Sequence, residues 1–400
     1  MNRLLLGSEA EASLKVSVQI GGVAIVSRLY LSPPNIGQTE ISAVVAALES
    51  GWAAPVGPEL DLFESDIARS SGRNHAVALS SGTAALHLGL RALGVGQGDE
   101  VVVPTMTFAA TAFAVSHAGA QPVFVDSETE SWGLDPSLLS SLLADRAGRG
   151  VLPAAVVPVD LFGRTCSCQE ISEISGQYGI PILWDCAEAL GAVCRNRPAG
   201  SWGDAAVFSF NGNKIITTSG GGALVTDNVE IAQRVRHWST QSREPAPWYE
   251  HHEIGYNYRM SNVLAALGRA QLSHLFDIIE RRRAIRDHYA AAFDGIAGVT
   301  VVDDPSWGRG NGWLTTVVFD SELHPSAAER VRKALDAVDI EARPVWKPMH
   351  RQPVFAQAEA VLSGVADRVF LEGLCLPSGS GMTDDDVSRV CETTRIALGR

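Results

Sequence analysis

Lys214 lies in the stretch Ser209-Phe-Asn-Gly-Asn-Lys-Ile-Ile-Thr-Thr-Ser-Gly-Gly-Gly222, between two apolar strand-like runs, Ala205 to Phe208 and Ala223 to Thr226. A lysine becomes a nucleophile or base only when its ammonium can lose a proton near neutral pH, which takes partial desolvation or a cationic neighbour. Flanking strands supply such surroundings, whereas a lysine in an open turn is a surface charge. Asp185 directly follows the apolar run Ile182-Leu-Trp184, where an unpaired carboxylate is costly. It reads either as the cap of a following helix or as the partner of a cation. A protonated pyridine nitrogen would serve as that cation, and the aspartate would keep the ring electron-withdrawing. Ser80-Ser-Gly-Thr83 follows one strand and opens a helix, so its hydroxyls and N–H groups form an anion cup at a positive helix terminus. An ordinary Ser/Thr helix cap explains the same residues. Phe108, in Thr105-Met-Thr-Phe108, suits either stacking on a planar ring or the core.

Cup, carboxylate and amine converge on one molecule: a phosphate, a pyridinium and an aldehyde together describe pyridoxal phosphate. Neither GxGxxG nor GxxxxGK[ST] occurs, which weighs against a dinucleotide or nucleoside triphosphate.

The elements that must hold these groups alternate in α/β fashion. Amphipathic or apolar periodicity predicts helices over Thr39 to Glu49, Thr83 to Leu93, Ser261 to Leu275 and Ile278 to Phe293. Strands are predicted over Ala76 to Leu79, Glu100 to Val103, Pro122 to Val125, Ala154 to Val159 and Pro181 to Trp184. Such alternation predicts a mostly parallel sheet covered on both faces, with reactive groups at the carboxyl ends of its strands. At 400 residues two domains are expected: a large one over 29–275 and a smaller C-terminal one over 276–400. Residues 1–28 read as a poorly ordered extension, since Gly21-Gly22 interrupts the apolar patch Val16 to Val26 and no signal-peptide pattern is present.

Composition narrows the function classes. A net charge of −13 without long Lys/Arg runs argues against a nucleic-acid surface, so any phosphate must be held locally. No segment has the roughly 20 uninterrupted apolar residues of a membrane span, and the chain reads as soluble and cytoplasmic. The six cysteines lack the spacing of a disulfide framework or tetrahedral metal site. Cys166 and Cys168 read as free thiols, and no metal is expected.

Several segments in this order carry a family resemblance: Ser80-Ser-Gly-Thr-Ala-Ala-Leu86, Gly98-Asp-Glu-Val-Val-Val-Pro104, Trp184-Asp-Cys-Ala-Glu-Ala-Leu-Gly191, Ser209-Phe-Asn-Gly-Asn-Lys214 and Gly255-Tyr-Asn-Tyr-Arg-Met-Ser261. From about Tyr30 to near the C-terminus the chain resembles the DegT/DnrJ/EryC1/StrS sugar aminotransferases, pyridoxal-phosphate enzymes of fold type I. The resemblance implies a large domain with a mostly parallel mixed sheet and a smaller α+β domain. It implies that Lys214 forms the Schiff base, Asp185 meets the pyridine nitrogen and Phe108 stacks on the ring. Gly82, Thr83 and Ser209 would hold the phosphate and Glu188 would lie near the ring oxygen. Asn257 would reach a partner subunit's phosphate in a homodimer. Many relatives carry Gln or His where this chain has Glu188. Cys186, beside Asp185, is expected only to pack.

With the lysine present, the implied reaction is transamination through a pyridoxamine phosphate intermediate rather than dehydration. The segments Asn211 to Gly222, Arg243 to Glu250 and Arg343 to Pro353 resemble the subgroup of bacillosamine-type pathways. That subgroup implies a UDP-linked 4-keto-6-deoxy-N-acetylhexosamine aminated at C4 by L-glutamate, for polysaccharide or glycan biosynthesis. Arg243, Arg259, Lys347 and His350 are candidates for binding a pyrophosphate or carboxylate, and Trp346 for packing on a sugar or uracil face. Each also suits a surface charge, a salt bridge or core packing. The alternatives are a GDP- or TDP-linked keto sugar aminated at C3 or C4, a cyclitol ketone, a lyase or aldolase of the same fold, and a regulatory or binding protein that kept the fold without turnover, whose expected mark, loss of the lysine or aspartate, is absent.

Overall fold

The structure is a computed structural model that describes residues 28–400; the expected N-terminal extension, apart from Arg28, lies outside the described residues. Two four-stranded sheets, His75–Leu79 with Gly222–Thr226, Ala205–Ser209 and Leu183–Asp185, and Ala360–Val361 with Gln121–Val125, Glu100–Pro104 and Ala155–Val156, are joined by parallel bridges Val156–Ile182 and Val159–Asp185. In the resulting sheet only Gly222–Thr226 runs against its neighbours. The strands read as near-continuous Val, Ala, Leu and Phe because both faces are covered. Leu79, Val103, Val207 and Leu224 on one side and Ala78, Val102, Ala206 and Phe208 on the other are all buried.

The expectation of a strand over Ala154 to Val159 needs correction. Pro158 has no N–H to give to a ladder, so regular pairing stops at Ala155–Val156 and resumes only as the bridge at Val159. The expected strand Pro181 to Trp184 is shifted to Leu183–Asp185 for the same reason, which puts Asp185 at the strand's carboxyl end. Helix Asn262–Ser273, capped by the Ser261 hydroxyl, ends earlier than expected, and Leu275 opens the next helix, Leu275–Phe293.

That helix leads to a second, antiparallel sheet in the order Val299–Val301, Thr315–Phe319, Gly373–Leu376, Arg343–Pro344. Its apolar face packs on helices Ala327–Asp336, Asp384–Ala397 and Leu275–Phe293 through Val317, Phe319, Leu335, Val390 and Tyr289. Two carboxylates tie the elements together. Glu64, on helix Pro58–Ser71, accepts the Ala78 N–H at 2.7 Å and pairs with Arg236 at 2.7 Å and with Arg259. Asp126, just past strand Gln121–Val125, accepts the N–H groups of Ser127, Ser363, Gly364 and Ala366 at 2.7–3.0 Å, fastening the start of helix Val365–Glu372 to the first sheet. No helix among the described residues is long and apolar enough to cross a membrane.

Candidate active site

The carboxyl ends of Leu183–Asp185, Ala205–Ser209 and His75–Leu79 open on one cavity of about 300 Å³. Its wall includes Ser81, Gly82, Thr83, Phe108, Asp185, Glu188, Ser209, Lys214 and Trp346, so residues predicted from separate segments meet in one place.

Asp185 is buried. Its Oδ2 accepts the Thr111 hydroxyl at 2.7 Å, and its Oδ1 accepts the Ala187 N–H at 3.1 Å. Thr107 and Thr111 share a further hydrogen bond of 2.7 Å. Burial pushes the Asp185 carboxyl above its usual range, against the opposing effect of Thr111, the Ala187 N–H and the Lys214 charge. A fixed carboxylate in that state is poised to gain from a cation placed beside it.

The Lys214 amine stands 3.3 Å from Glu188 Oε1 and 4.1 Å from the centroid of the Trp313 ring, a cation–π arrangement over an indole. Glu188 Oε2 accepts the Phe162 N–H at 2.7 Å. Its carboxyl too is raised by burial, with Lys214 the leading influence in the opposite direction. Two buried carboxylates therefore face one amine, and a further cation would balance the site. A pyridinium fits that need.

Also on the cavity wall, Ser81 caps helix Gly82–Ala92 by accepting the Ala84 N–H at 3.0 Å. The first-turn N–H groups of Gly82 and Thr83 have no intrahelical acceptor, and the Ser209 side chain lies beside them. A Cβ on Gly82 would come within 3.0 Å of Ser209 Cβ, filling the cradle. Free N–H groups, hydroxyls and a positive helix end fit a phosphate. The donor set thus suits pyridoxal phosphate: Gly82, Thr83 and Ser209 for phosphate, Asp185 for the ring nitrogen, Lys214 for the aldehyde. Phe108, 56% exposed and edge-on to Trp346 at 6.0 Å, flanks the same space.

Other candidates fall elsewhere. Arg259 is paired with Glu64 and the Ala78 carbonyl and is outside the cavity wall. Arg243 is exposed, with its guanidinium 4.3 Å from the Tyr249 ring centroid. His350 Nδ1 is 2.7 Å from Thr105 Oγ1, and its other nitrogen is 3.4 Å from Asp367. Lys347 and Asn257 are exposed, and neither lines the cavity. Trp346, packed 5.2 Å from Phe162, also lines a second cavity of about 400 Å³ with Tyr30, Pro33, Asn213 and Arg343. Cys186, expected only to pack, also donates to Asp160 Oδ2 at 3.4 Å; all six cysteines are buried and free. Sequence reasoning missed Thr111 and Trp313. An apolar-to-hydroxyl interruption in Ala109-Ala-Thr111-Ala and the Asn311-Gly-Trp313 turn are the available signals.

A model of the DegT/DnrJ/EryC1/StrS aminotransferase family matches residues 34–395. A Bacillus subtilis (strain 168) protein, EpsN, whose name assigns it as a pyridoxal phosphate-dependent aminotransferase, is 42% identical over 91% of this chain and 94% of its own. A GDP-perosamine synthase of Caulobacter vibrioides (strain ATCC 19089 / CIP 103742 / CB 15) is 36% identical, covering 91% of this chain and 96% of its own. Among solved structures, DesI in the presence of its TDP-sugar product superposes with a TM-score of 0.83 at 32% identity, covering 94% of each chain.

Proposed function

The chain belongs to the DegT/DnrJ/EryC1/StrS aminotransferase family, and on that premise we propose that it transfers the amino group of L-glutamate to C4 of a nucleotide-linked 4-keto sugar, preferably a UDP-linked 4-keto-6-deoxy-N-acetylhexosamine. Pyridoxal 5′-phosphate is its cofactor and supplies, when bound, an electron-withdrawing ring and an aldehyde that takes up and gives back an amino group. The observation that carries the reading is the single cavity in which Lys214, Asp185 and the Gly82–Thr83 helix start face one another.

In this reading Lys214 anchors the cofactor and, once its amine is released, moves a proton between substrate and cofactor carbons. Glu188 and Trp313 hold that amine beside the reacting atoms. Asp185, fixed by Thr111 and Ala187, keeps the ring nitrogen protonated. Gly82, Thr83 and Ser209 bind phosphate, and Phe108 covers a ring face. The second cavity shares Asn213 and Trp346 with the first and offers room for the nucleotide, so Trp346 is the strongest of the proposed substrate contacts. A homodimer completes the proposal, with Asn257 reaching the phosphate held by the partner subunit. It is supported by the position of Asn257 on a surface stretch where Tyr249 and Ile254 are 79% and 80% exposed. Free buried cysteines suit a reducing compartment, in keeping with a proposed cytoplasmic location.

A GDP- or TDP-linked keto sugar is the second reading, favoured by the likeness to a GDP-perosamine synthase and to DesI. Incubation of the enzyme and L-glutamate with UDP-, GDP- and TDP-linked 4-keto-6-deoxy sugars separates the two. The proposal expects amination of the UDP-linked N-acetylated sugar with the highest kcat/KM; preference for a GDP- or TDP-linked sugar transfers the assignment to the second reading.

A further inference from the structure

Arg282 lies on helix Leu275–Phe293 with 2% of its surface exposed. Burial, without an opposing carboxylate, pulls its guanidinium down to about 10. Removing such a charge from water costs several kcal/mol, and an apolar side chain there would avoid that cost. The guanidinium is instead committed to two acceptors. Nη1 donates to the Trp313 carbonyl at 2.6 Å and to Ser32 Oγ at 3.1 Å, and Nη2 donates to Ser32 Oγ at 3.1 Å. The Ser32 hydroxyl in turn donates to the Asn213 carbonyl at 2.9 Å, and Trp313 Nε1 donates to that same carbonyl at 2.6 Å. Asn213 immediately precedes Lys214, whose amine sits over the Trp313 ring. Gly312, at φ +68°, lets the chain pass so close to the helix that a Cβ there would meet Arg282 and Arg283 backbone atoms at 3.3 Å.

We propose that Arg282 is a positioning residue for Lys214: through the Trp313 carbonyl and Ser32 it locks the indole ring and the Asn213 backbone that set where the lysine amine stands. The inference rests on Lys214 being the cofactor lysine. It extends the catalytic assembly from the first sheet into the helix that leads to the second. Glu188, at 3.3 Å, and Asp185 are the charged groups facing the amine, so a displaced amine would meet a different field from both.

The test uses full-length protein reconstituted with pyridoxal phosphate, in wild-type form and as Arg282→Met, Trp313→Phe and Ser32→Ala. Arg282→Met keeps the length and removes the donors, Trp313→Phe keeps a ring but not the indole N–H, and Ser32→Ala breaks the middle link. The readouts are Tm, the pH titration of the absorbance band of the lysine-bound cofactor, and kcat and KM for L-glutamate. Arg282→Met is expected to fold with an equal or higher Tm while the titration midpoint moves by about one pH unit, equivalent to about 1.4 kcal/mol. Its kcat should fall roughly tenfold with KM little changed, and adding Trp313→Phe should produce less than the sum of the separate effects. A folded Arg282→Met with wild-type titration and kcat overturns the proposal. Should that variant not fold, unmoved titrations in both Ser32→Ala and Trp313→Phe overturn it. Loss of the lysine-bound band from wild type would instead remove the aminotransferase reading itself.

Discussion

At the residue scale, the proposed chemistry turns on the buried Asp185 carboxyl and the groups that favour its charged form. Burial works against its charge, and the Thr111 hydroxyl is the foremost group opposing that effect. Thr111→Val preserves side-chain shape but removes the donor from Oδ2, a loss of about 1.5–3 kcal/mol for a hydrogen bond to a charged group. The glutamate half-reaction, followed by rapid-mixing absorbance, should therefore slow by roughly tenfold or more, with far-UV circular dichroism unchanged. A wild-type rate would exclude Thr111 from the catalytic arrangement. Thr111 and Asp185 are 74 positions apart, which explains why no local pattern linked them. Asp185 and Gly82 could be picked out because they follow short apolar runs, and Lys214 because it lies on the polar stretch between two such runs; the structure brings all three to one cavity. Arg259 illustrates the converse: its charge suggested a ligand contact, but its pairing with Glu64, across 195 positions, is set only by the folded chain.

At the scale of elements, the register of the sheet decides which groups reach the cavity. The strand before Asp185 starts later than periodicity predicted because Pro181 cannot contribute an N–H, and that shift is invisible to apolar patterning alone. Asp126 performs a comparable positioning task on the other side of the sheet. Burial alone would raise its carboxyl, but the N–H groups of Ser127, Ala366, Ser363 and Gly364 outweigh that effect and hold it below the ordinary value of 3.8. Its stabilisation is thus fully present above that ordinary value and is lost as pH falls through the lower folded-state value. Asp126→Asn should cost about 1.5–3 kcal/mol at neutral pH. Urea unfolding of wild type and variant should show this difference constant from pH 7 down to the carboxylate range and shrinking below it. A gap that widens on acidification would contradict the role given to these N–H groups.

At the scale of the whole molecule, the carboxyl edge of the first sheet, together with Trp313 and Trp346, surrounds one part-buried amine and two buried carboxylates. The α/β alternation made the first sheet, with its cavity at the carboxyl ends of the strands, readable from the chain. The second sheet was harder to anticipate, because its short strands pair across long separations, as Thr315–Phe319 does with Gly373–Leu376. The clamp from Arg282 to Asn213 joins these two parts and has no sequence signature, since Ser32 and Arg282 are 250 positions apart. What unifies the proposal is one cavity in a pyridoxal-phosphate aminotransferase fold, with Lys214 on its wall as the proposed route of amino exchange. The most direct test is the absorbance spectrum of purified protein with pyridoxal phosphate, recorded before and after L-glutamate is added without any sugar, beside the Lys214→Ala variant. The band of the lysine-bound cofactor should be present in wild type, give way to that of the aminated cofactor on adding glutamate, and be missing from Lys214→Ala. A wild-type band that persists unchanged with glutamate, or a Lys214→Ala protein that forms and converts the same band, would contradict amino transfer through Lys214.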